Sequence, residues 1–233
     1  GGFDFRRMAW FEGLGAIGYT RTPVMAVAAP DDSGGTYALH RLRMSLAASI
    51  RQQIGGQPGA VAAALMSGDR SGIDEATNEI MRASNLYHII SISGLHMSML
   101  AGFVYAALRL MGATAQGLGA FPGWPLHKFA AGGALMASAA YLWLSGGGVA
   151  AERAFIMVAV MLVAIIADQR AISLRTVAIA AIIILAFNPE ALTSPGFQMS
   201  FAATVALILV QGPWLRMSPH LPWWLRPVLL LLV

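Results

Sequence analysis

Five apolar segments after residue 88 set the strongest limit on how this chain can fold. They cover roughly residues 89–111, 129–144, 149–167, 174–187 and 196–210, and a sixth begins near Val228. Several are shorter than the roughly 20 residues that a helix needs to cross a bilayer squarely, so tilted, broken or re-entrant helices are expected. Because 57% of the 233 residues are hydrophobic and only 11% are charged, the pattern predicts an all-α fold, a polytopic bundle of membrane helices.

The first third of the chain is more polar and is predicted to be solvated or interfacial. Eight arginines and eight acidic residues fall within residues 1–88. Residues 1–36 hold short apolar patches separated by Gly, Pro and Asp, which predicts the β-rich tail of a preceding domain. In residues 37–88 the spacing of Leu39, Leu42 and Leu46 is typical of amphipathic helices. The first of these helices is expected to lie on lipid headgroups, to touch a polyanion or to dock on the rest of the protein.

Lysine and arginine are distributed unevenly among the connections between the apolar segments. The second and fourth connections hold only Arg153, whereas the odd-numbered ones hold Arg109, Lys128, Arg170, Arg175, Arg216 and Arg226. Short cytoplasmic loops retain Lys and Arg, so the odd-numbered connections are predicted to face the cytoplasm. The region before residue 89 is therefore predicted to be extracytoplasmic.

A polar, glycine-broken hexapeptide, Ser91 to His96, opens the first apolar segment. Ser93 lies three residues before His96, so a hydroxyl–imidazole hydrogen bond on a helix would satisfy both groups without further function. The alternative is that these side chains line a polar cavity or pathway in the membrane, where polar groups are uncommon. Small residues also recur here every four positions and predict a ridge for helix packing: Gly94, Ser98, Gly102 and Ala106.

Other polar residues lie close to the predicted membrane entry points. Asp69 and Arg70 share a glycine-bounded turn, Glu152 and Arg153 open an apolar helix, and Gln198 lies just inside the fifth segment. An ionised group at the bilayer centre costs roughly 2.5–3.5 kcal/mol, so the charged residues are expected at the interface or in a wet cavity.

Thiol and metal chemistry find little support in the sequence. The chain has no cysteine, and its five histidines are scattered at positions 40, 88, 96, 127 and 220. No carboxylate lies one helical turn from His88 or His96, a spacing that helical metal sites use. No cofactor, metal site or catalytic residue is predicted.

Five blocks of sequence together resemble the competence domain of the ComEC family. They are SGDRSGID at 67–74, HIISISGLH at 88–96, ERA at 152–154, NPE at 188–190 and SPGFQMSF at 194–201, in the order and spacing of that family. The resemblance covers about residues 37–233, and residues 1–5 and 15–21 resemble the end of the family's extracytoplasmic OB-like domain. It implies an OB-like tail at 1–36, interfacial helices at 37–88, and a transmembrane competence domain at 89–233 that continues beyond residue 233.

The resemblance implies a multi-pass channel of the bacterial inner membrane that takes up single-stranded DNA during natural transformation. Its expected partners are single-stranded DNA, the lipid bilayer, other proteins of the competence machinery and a second copy of the chain. A DNA path needs counter-charge and hydrogen bonds, with acidic residues orienting the arginines. The candidates to line it are Asp69, Arg70, Ser91, Ser93, His96, Glu152, Arg153 and Gln198.

The sequence also bears on three other activities. Many members of the family carry a metallo-β-lactamase-like nuclease domain, whose clustered metal motif is not found in residues 1–233. A small-solute transporter also uses broken helices with polar groups, but no internal repeat is evident. An intramembrane serine hydrolase would use Ser93 and His96, although a base on the same helix as its nucleophile has unfavourable geometry.

Overall fold

The computed structural model describes residues 5–11, 14–16, 18–19, 35–90, 93–119 and 122–217. Contacts divide the chain into two compact units, Gly1–Ala38 and Leu39–Val233. All regular structure in the described residues is helical, which agrees with the predicted all-α bundle. The helices are α1 Phe5–Phe11, α2 Gly35–Ile54, α3 Gly56–Ser67, α4 Glu75–Ala83, α5 Tyr87–Ile90, α6 Gly94–Gly117, α7 Leu126–Ser145, α8 Val149–Ile166, α9 Leu174–Phe187 and α10 Pro195–Met217, with a 3-10 helix, Pro189–Thr193, before α10.

The predicted β-rich tail at residues 1–36 is not supported. Residues Phe5–Phe11 form helix α1, and no strand occurs in the ranges that the structure describes. A helix satisfies its backbone N–H and C=O groups within one segment, whereas a strand needs a neighbouring strand. Most of the remaining residues of this tail, including most of the stretches that resemble an OB-like domain, lie outside the described residues.

Helix α2 contacts its neighbours through a different face from the one that its leucines predict. The three leucines of the predicted apolar face are 36–51% exposed. Ala47 is fully buried instead. Of the arginines one turn to either side, Arg43 contacts the last residue of α3 and Arg51 contacts the turn that follows it. The leucine face is thus not covered by any part of the chain that the structure describes.

Helices α6, α7 and α8 pack against one another around a core of small side chains. The core consists of Met97, Ala101, Ala131, Ala134, Ala154, Val158 and Leu162. Leucines fill spaces left by glycines between α6 and α7: Leu108 lies over Gly133, and a Cβ at Gly112 would be 2.7 Å from Leu126 Cδ2. These contacts join the end of α6 to the start of α7, so the two helices run antiparallel.

Helices α9 and α10 add a second core beside α8. Ala180 and Ile184 of α9 are buried with Phe197 and Phe201 of α10, whose ring centroids are 4.3 Å apart. Residues of α8 line the same cluster. This contact places the start of α10 next to the start of α8.

Two of the described helices are long and apolar enough to cross a membrane. They are α6, with 24 residues, and α8, with 18 residues; α9 and residues 195–210 of α10 are apolar but shorter. The structure thus agrees with a membrane bundle, while the number of crossings stays a prediction. The sixth apolar segment, beginning near Val228, lies outside the described residues.

Two glycines of α6 provide a matched test of the close approach between α6 and α7. Gly112→Ala places a methyl group against Leu126, whereas Gly102→Ala meets no atom within 4 Å. Both changes gain the same helix propensity, so only the crowding of Leu126 by the new methyl group distinguishes them. We expect Gly112→Ala to be less stable than Gly102→Ala by about 1 kcal/mol. Unfolding of the detergent-solubilised variants measures the difference, and equal stability would contradict the proposed packing.

Candidate functional site

Most of the polar candidates meet at one end of the helix bundle. Helices α6, α8 and α10 begin there, and α7 and α9 end there, because consecutive helices run in opposite directions. A Cβ at Gly94 of α6 would lie 3.8 Å from Ala154 Cβ of α8, which confirms that these two starts are neighbours. We call this region the polar end and define it by Ser67, Ser93, His96, Gly146, Glu152, Arg153, Gly196 and Gln198.

Ser93 and His96 form the cap of helix α6. The Ser93 backbone N–H donates to His96 Nδ1 at 3.3 Å, and Ser93 Oγ lies 3.1 Å from the same nitrogen. The predicted hydroxyl–imidazole contact is therefore confirmed. An imidazole that accepts at Nδ1 carries its proton on Nε2 when neutral. In the described residues Nε2 has no hydrogen-bond partner, so nothing there orients His96 as a base.

Arg153 is half-buried and lies directly over the backbone of Gly196. A Cβ at Gly196 would be only 2.8 Å from Arg153 Nη2 and 2.9 Å from Nη1, so this close approach requires a residue without a side chain. Arg153 Nε is buried and has no hydrogen-bond partner among the residues that the structure describes. Glu152 is exposed and forms no ion pair with Arg153 there, so the expected orienting role of Glu152 is not seen.

Asp69 pairs with Arg51, and not with the neighbouring Arg70 as the sequence suggested. Arg51 Nη1 lies 3.0 Å from Asp69 Oδ2 and forms an ion pair whose direction does not suit a hydrogen bond. The same Nη1 donates a hydrogen bond to Ser71 Oγ at 3.3 Å. Asp69 Oδ1 accepts the Ser71 backbone N–H at 3.0 Å. Hydrogen bonds from Ser71, together with Arg51, hold the pKa of Asp69 below its ordinary value of 3.8. Arg70 is exposed.

Gln198 supports the turn that precedes α10. Its Nε2 donates to the Leu192 carbonyl at 3.0 Å, which holds the 3-10 helix against the first turn of α10. The side chain is otherwise exposed. One N–H of its amide is thus used within the described structure, and its place in the polar wall of a pore stays a prediction.

Arg43 also lies at the polar end, against Ser67 and Gly146, although the sequence did not predict it as a site residue. Its Nη2 donates to the Ser67 carbonyl at 2.9 Å, while its Nε is buried without a hydrogen-bond partner in the described ranges. The guanidinium also contacts Gly146, which has a positive φ of 88° and no room for a side chain. Two signals for this contact were present in the sequence: the glycine run 146–148, and the one-turn spacing of Arg43 from Ala47.

Most of the small-residue ridge of α6 faces away from the bundle. Its four members are all exposed: Gly94, Ser98, Gly102 and Ala106. The buried residues of this helix are Met97 and Ala101. Apart from Gly94, which approaches Ala154 of α8, the ridge therefore does not mediate the packing of α6 within the described bundle. Ser91, the remaining candidate, lies outside the described residues.

The polar end is suited to binding an anion. Arg43 and Arg153 supply two half-buried guanidinium groups, and neither is paired with a carboxylate in the described residues. The described ranges also hold no group of three or more His, Asp or Glu side chains arranged to bind a metal. Arginine matches the geometry of phosphate oxygens and stays charged at any physiological pH.

Comparison with known proteins identifies the family. The family model described as "Competence protein" matches residues 65–232, a range that contains all five sequence blocks. The chain belongs to the competence protein family. The sequence resemblance is thus confirmed.

Two curated relatives are much longer than this chain. ComE operon protein 3 of Bacillus subtilis (strain 168) is 31% identical over 147 residues, which is 63% of this chain and 17% of that protein. The uncharacterized protein YcaI of Escherichia coli (strain K12) is 28% identical over 190 residues, 81% of this chain and 24% of that protein. The chain thus spans a quarter or less of either relative. No solved structure matches it.

The ionised state of Asp69 should stabilise the fold. Because its folded-state pKa lies below 3.8, the charge contributes fully above that pH, and the contribution is lost as the pH falls through the folded-state pKa. We expect Asp69→Asn to lower the free energy of unfolding at pH 7 by roughly 1 kcal/mol and to match the wild type in strong acid.

Glu75→Gln is the control for this experiment. Glu75 pairs with Arg82 at 3.1 Å on the surface, where the two side chains are 69% and 54% exposed. Exposed pairs contribute little, so this variant should unfold like the wild type. A pH-independent deficit in Asp69→Asn would show that the charge of Asp69 is not the stabilising feature.

Replacing His96 separates capping from base catalysis. Gln at the third position of a helix accepts the same backbone N–H that His96 Nδ1 accepts, so His96→Gln should keep the stability of the wild type. His96→Ala should lose about 1 kcal/mol, the usual value of a cap. A serine-directed probe that labels the wild type, but neither variant, would instead indicate that His96 activates Ser93.

Proposed function

We propose that this chain forms part of an inner-membrane channel through which single-stranded DNA enters the bacterial cell during natural transformation. Its membership of the competence protein family supports a role in DNA uptake. The observation that carries the proposal is Arg153, whose half-buried guanidinium rests on Gly196 with no carboxylate partner in the described residues.

A half-buried arginine without a carboxylate partner favours an anionic ligand. Desolvating a guanidinium costs free energy unless an opposite charge or hydrogen-bond acceptors replace the lost water. A DNA phosphate supplies both, and Arg43 places a second guanidinium at the same end of the bundle. Successive phosphates of a single strand would thereby meet cationic groups at the start of their path through the membrane.

The distribution of charge supports the direction of transport. Arg109, Lys128, Arg170 and Arg175 lie at the other end of the bundle, which we call the basic end. Cytoplasmic loops retain such residues, so we assign the basic end to the cytoplasm. The polar end would then face outward and receive DNA, with the N-terminal region also outside. Other competence proteins and a second copy of the chain are the proposed partners.

We assign no chemical step to the residues of this chain. Ser93 and His96 are accounted for as the cap of α6, so the hydrolase alternative has no independent support. Degradation of a second DNA strand would require a nuclease active site from outside the described residues. A small-solute transporter remains the competing function, and uptake measurements distinguish it from DNA transport.

Arg153 provides the decisive test. We expect Arg153→Gln to lower uptake of labelled single-stranded DNA by at least about tenfold, since a charge-assisted contact with phosphate is lost, and Arg153→Lys to retain part of it. Gly196→Ala should resemble Arg153→Gln, because its methyl group displaces the guanidinium. The variants are placed in the full-length protein, and transformation frequency is measured at matched protein levels.

Arg109→Gln is the matched control for the lost charge. Arg109 is exposed at the basic end, where its Nη1 donates to Tyr105 Oη at 3.4 Å. Its replacement by Gln should leave uptake near the wild-type level. Equal uptake defects in Arg153→Gln and Arg109→Gln would show that the loss of one positive charge, and not the position of Arg153, lowers uptake. Normal uptake by Arg153→Gln would contradict the proposed path, and uptake of small solutes but not DNA by reconstituted vesicles would favour the transporter.

A further inference from the structure

An apolar groove runs between α8 and α9. Its volume is about 780 Å³, and its walls are built mainly from the side chains of Phe155, Val160, Val163, Ile179 and Ile183. Val163 is 51% and Ile179 is 43% exposed, so the groove opens to the surroundings of the bundle. A groove of this size and composition suits an apolar ligand.

Two arginines stand at the mouth of this groove. Arg170 and Arg175 line it at the basic end, both are exposed, and neither forms an ion pair within the described ranges. The nearest acidic residue in sequence, Asp168, already binds Lys128 Nζ at 2.6 Å and His127 Nε2 at 3.1 Å. These contacts hold the pKa of Asp168 below its ordinary value, Lys128 having the largest effect. The mouth therefore keeps two positive charges.

The neutral polar groups at the mouth are satisfied within the protein. Ser173 Oγ accepts the Thr176 backbone N–H at 3.2 Å, and Thr176 Oγ1 donates to the Ala171 carbonyl at 2.9 Å. These bonds fix the start of α9. Besides the exposed amide of Gln169, whose Nε2 lies 3.5 Å from the Ala167 carbonyl, the polar groups left to a ligand at the mouth are the two guanidinium groups. A ligand that fits must therefore combine an anionic head with an apolar body.

The length of the groove matches one leaflet of a bilayer. Along α8 it extends from Phe155 to Ala167, which at 1.5 Å per residue is about 18 Å. Half of the hydrocarbon core of a bilayer is about 15 Å thick. With the basic end in the cytoplasm, an acyl chain of the cytoplasmic leaflet would lie along these walls while its headgroup reached Arg170 and Arg175.

We propose that the groove binds one anionic phospholipid of the cytoplasmic leaflet, with its phosphate between Arg170 and Arg175 and one acyl chain between α8 and α9. Basic pockets between membrane helices on the cytoplasmic side bind such headgroups. An apolar helix in the groove would leave the two guanidinium groups without an anion, and a free phosphate would leave the walls uncovered. The proposal rests on the membrane location proposed above, but not on DNA transport.

Photo-crosslinking tests this site directly. The chain is reconstituted in phosphatidylcholine vesicles that contain a small fraction of phosphatidylglycerol with a photoreactive acyl chain, and crosslinked residues are mapped by mass spectrometry. We expect crosslinks concentrated on α8 and α9 near Val163 and Ile179, roughly tenfold more than with photoreactive phosphatidylcholine at the same fraction. The readout requires no DNA, so a failed DNA-uptake test leaves it interpretable.

Two pairs of variants separate the head and chain contacts. The double change Arg170→Gln and Arg175→Gln should lower phosphatidylglycerol crosslinking to the phosphatidylcholine level, while Arg109→Gln leaves it unchanged. Ala159→Phe fills the groove and should lower crosslinking with both lipids. Ala178→Phe, at an exposed position of α9 outside the groove, should leave crosslinking with both lipids unchanged.

Several outcomes would overturn the proposal. They are equal crosslinking of the two lipids, crosslinks spread evenly over the exposed faces of α6 and α7, and an equal loss in Arg109→Gln. Competition by excess glycerol phosphate at the wild-type site would show that the headgroup alone is recognised. Crosslinks from Val163 to another segment of the chain, in place of lipid, would assign the groove to protein packing.

Discussion

The arrangement of the whole described bundle depends on the close approach of α6, α7 and α8, which small side chains permit. Four of the seven buried core residues between these helices are alanines, and glycines receive the leucines that cross between α6 and α7. Lipid tails are as apolar as leucine, so helices in a bilayer gain most from such close packing. Because three helices meet along this one seam, their ends are brought to common levels, and residues far apart in sequence become neighbours.

The polar end follows from that packing. The starts of α6, α8 and α10 lie side by side, so the sequence blocks around Ser93, Arg153 and Gly196 come together although about a hundred residues separate the first from the last. Glycine is needed twice there for the same physical reason. Gly146 and Gly196 each leave a space that a guanidinium fills, and both arginines remain without a carboxylate in the described residues.

The two ends of the bundle differ in the partners of their charges. At the polar end the guanidinium groups of Arg43 and Arg153 are half-buried, where a polyanion would satisfy them. At the basic end Lys128 is paired with Asp168, and Arg170 and Arg175 are exposed at the mouth of an apolar groove. We associate the first end with nucleic acid and the second with lipid, because one is lined by polar helix ends and the other by apolar walls.

Much of the fold was predictable from local pattern. Apolar segments gave the order of α6 to α10, the positions of Gly and Pro marked their ends, and the spacing of Ser93 and His96 predicted their contact, because each depends on residues close in sequence. The pairing of Asp69 with Arg51, the placement of Arg43 on Gly146, the exposure of the α6 ridge and the helix at Phe5–Phe11 were not predicted. Which face of a helix is covered, and which arginine reaches a given carboxylate or glycine, depends on neighbours distant in sequence. Helical periodicity defines the faces of each segment, but only the packing of all the helices together decides which face is buried and which charges meet.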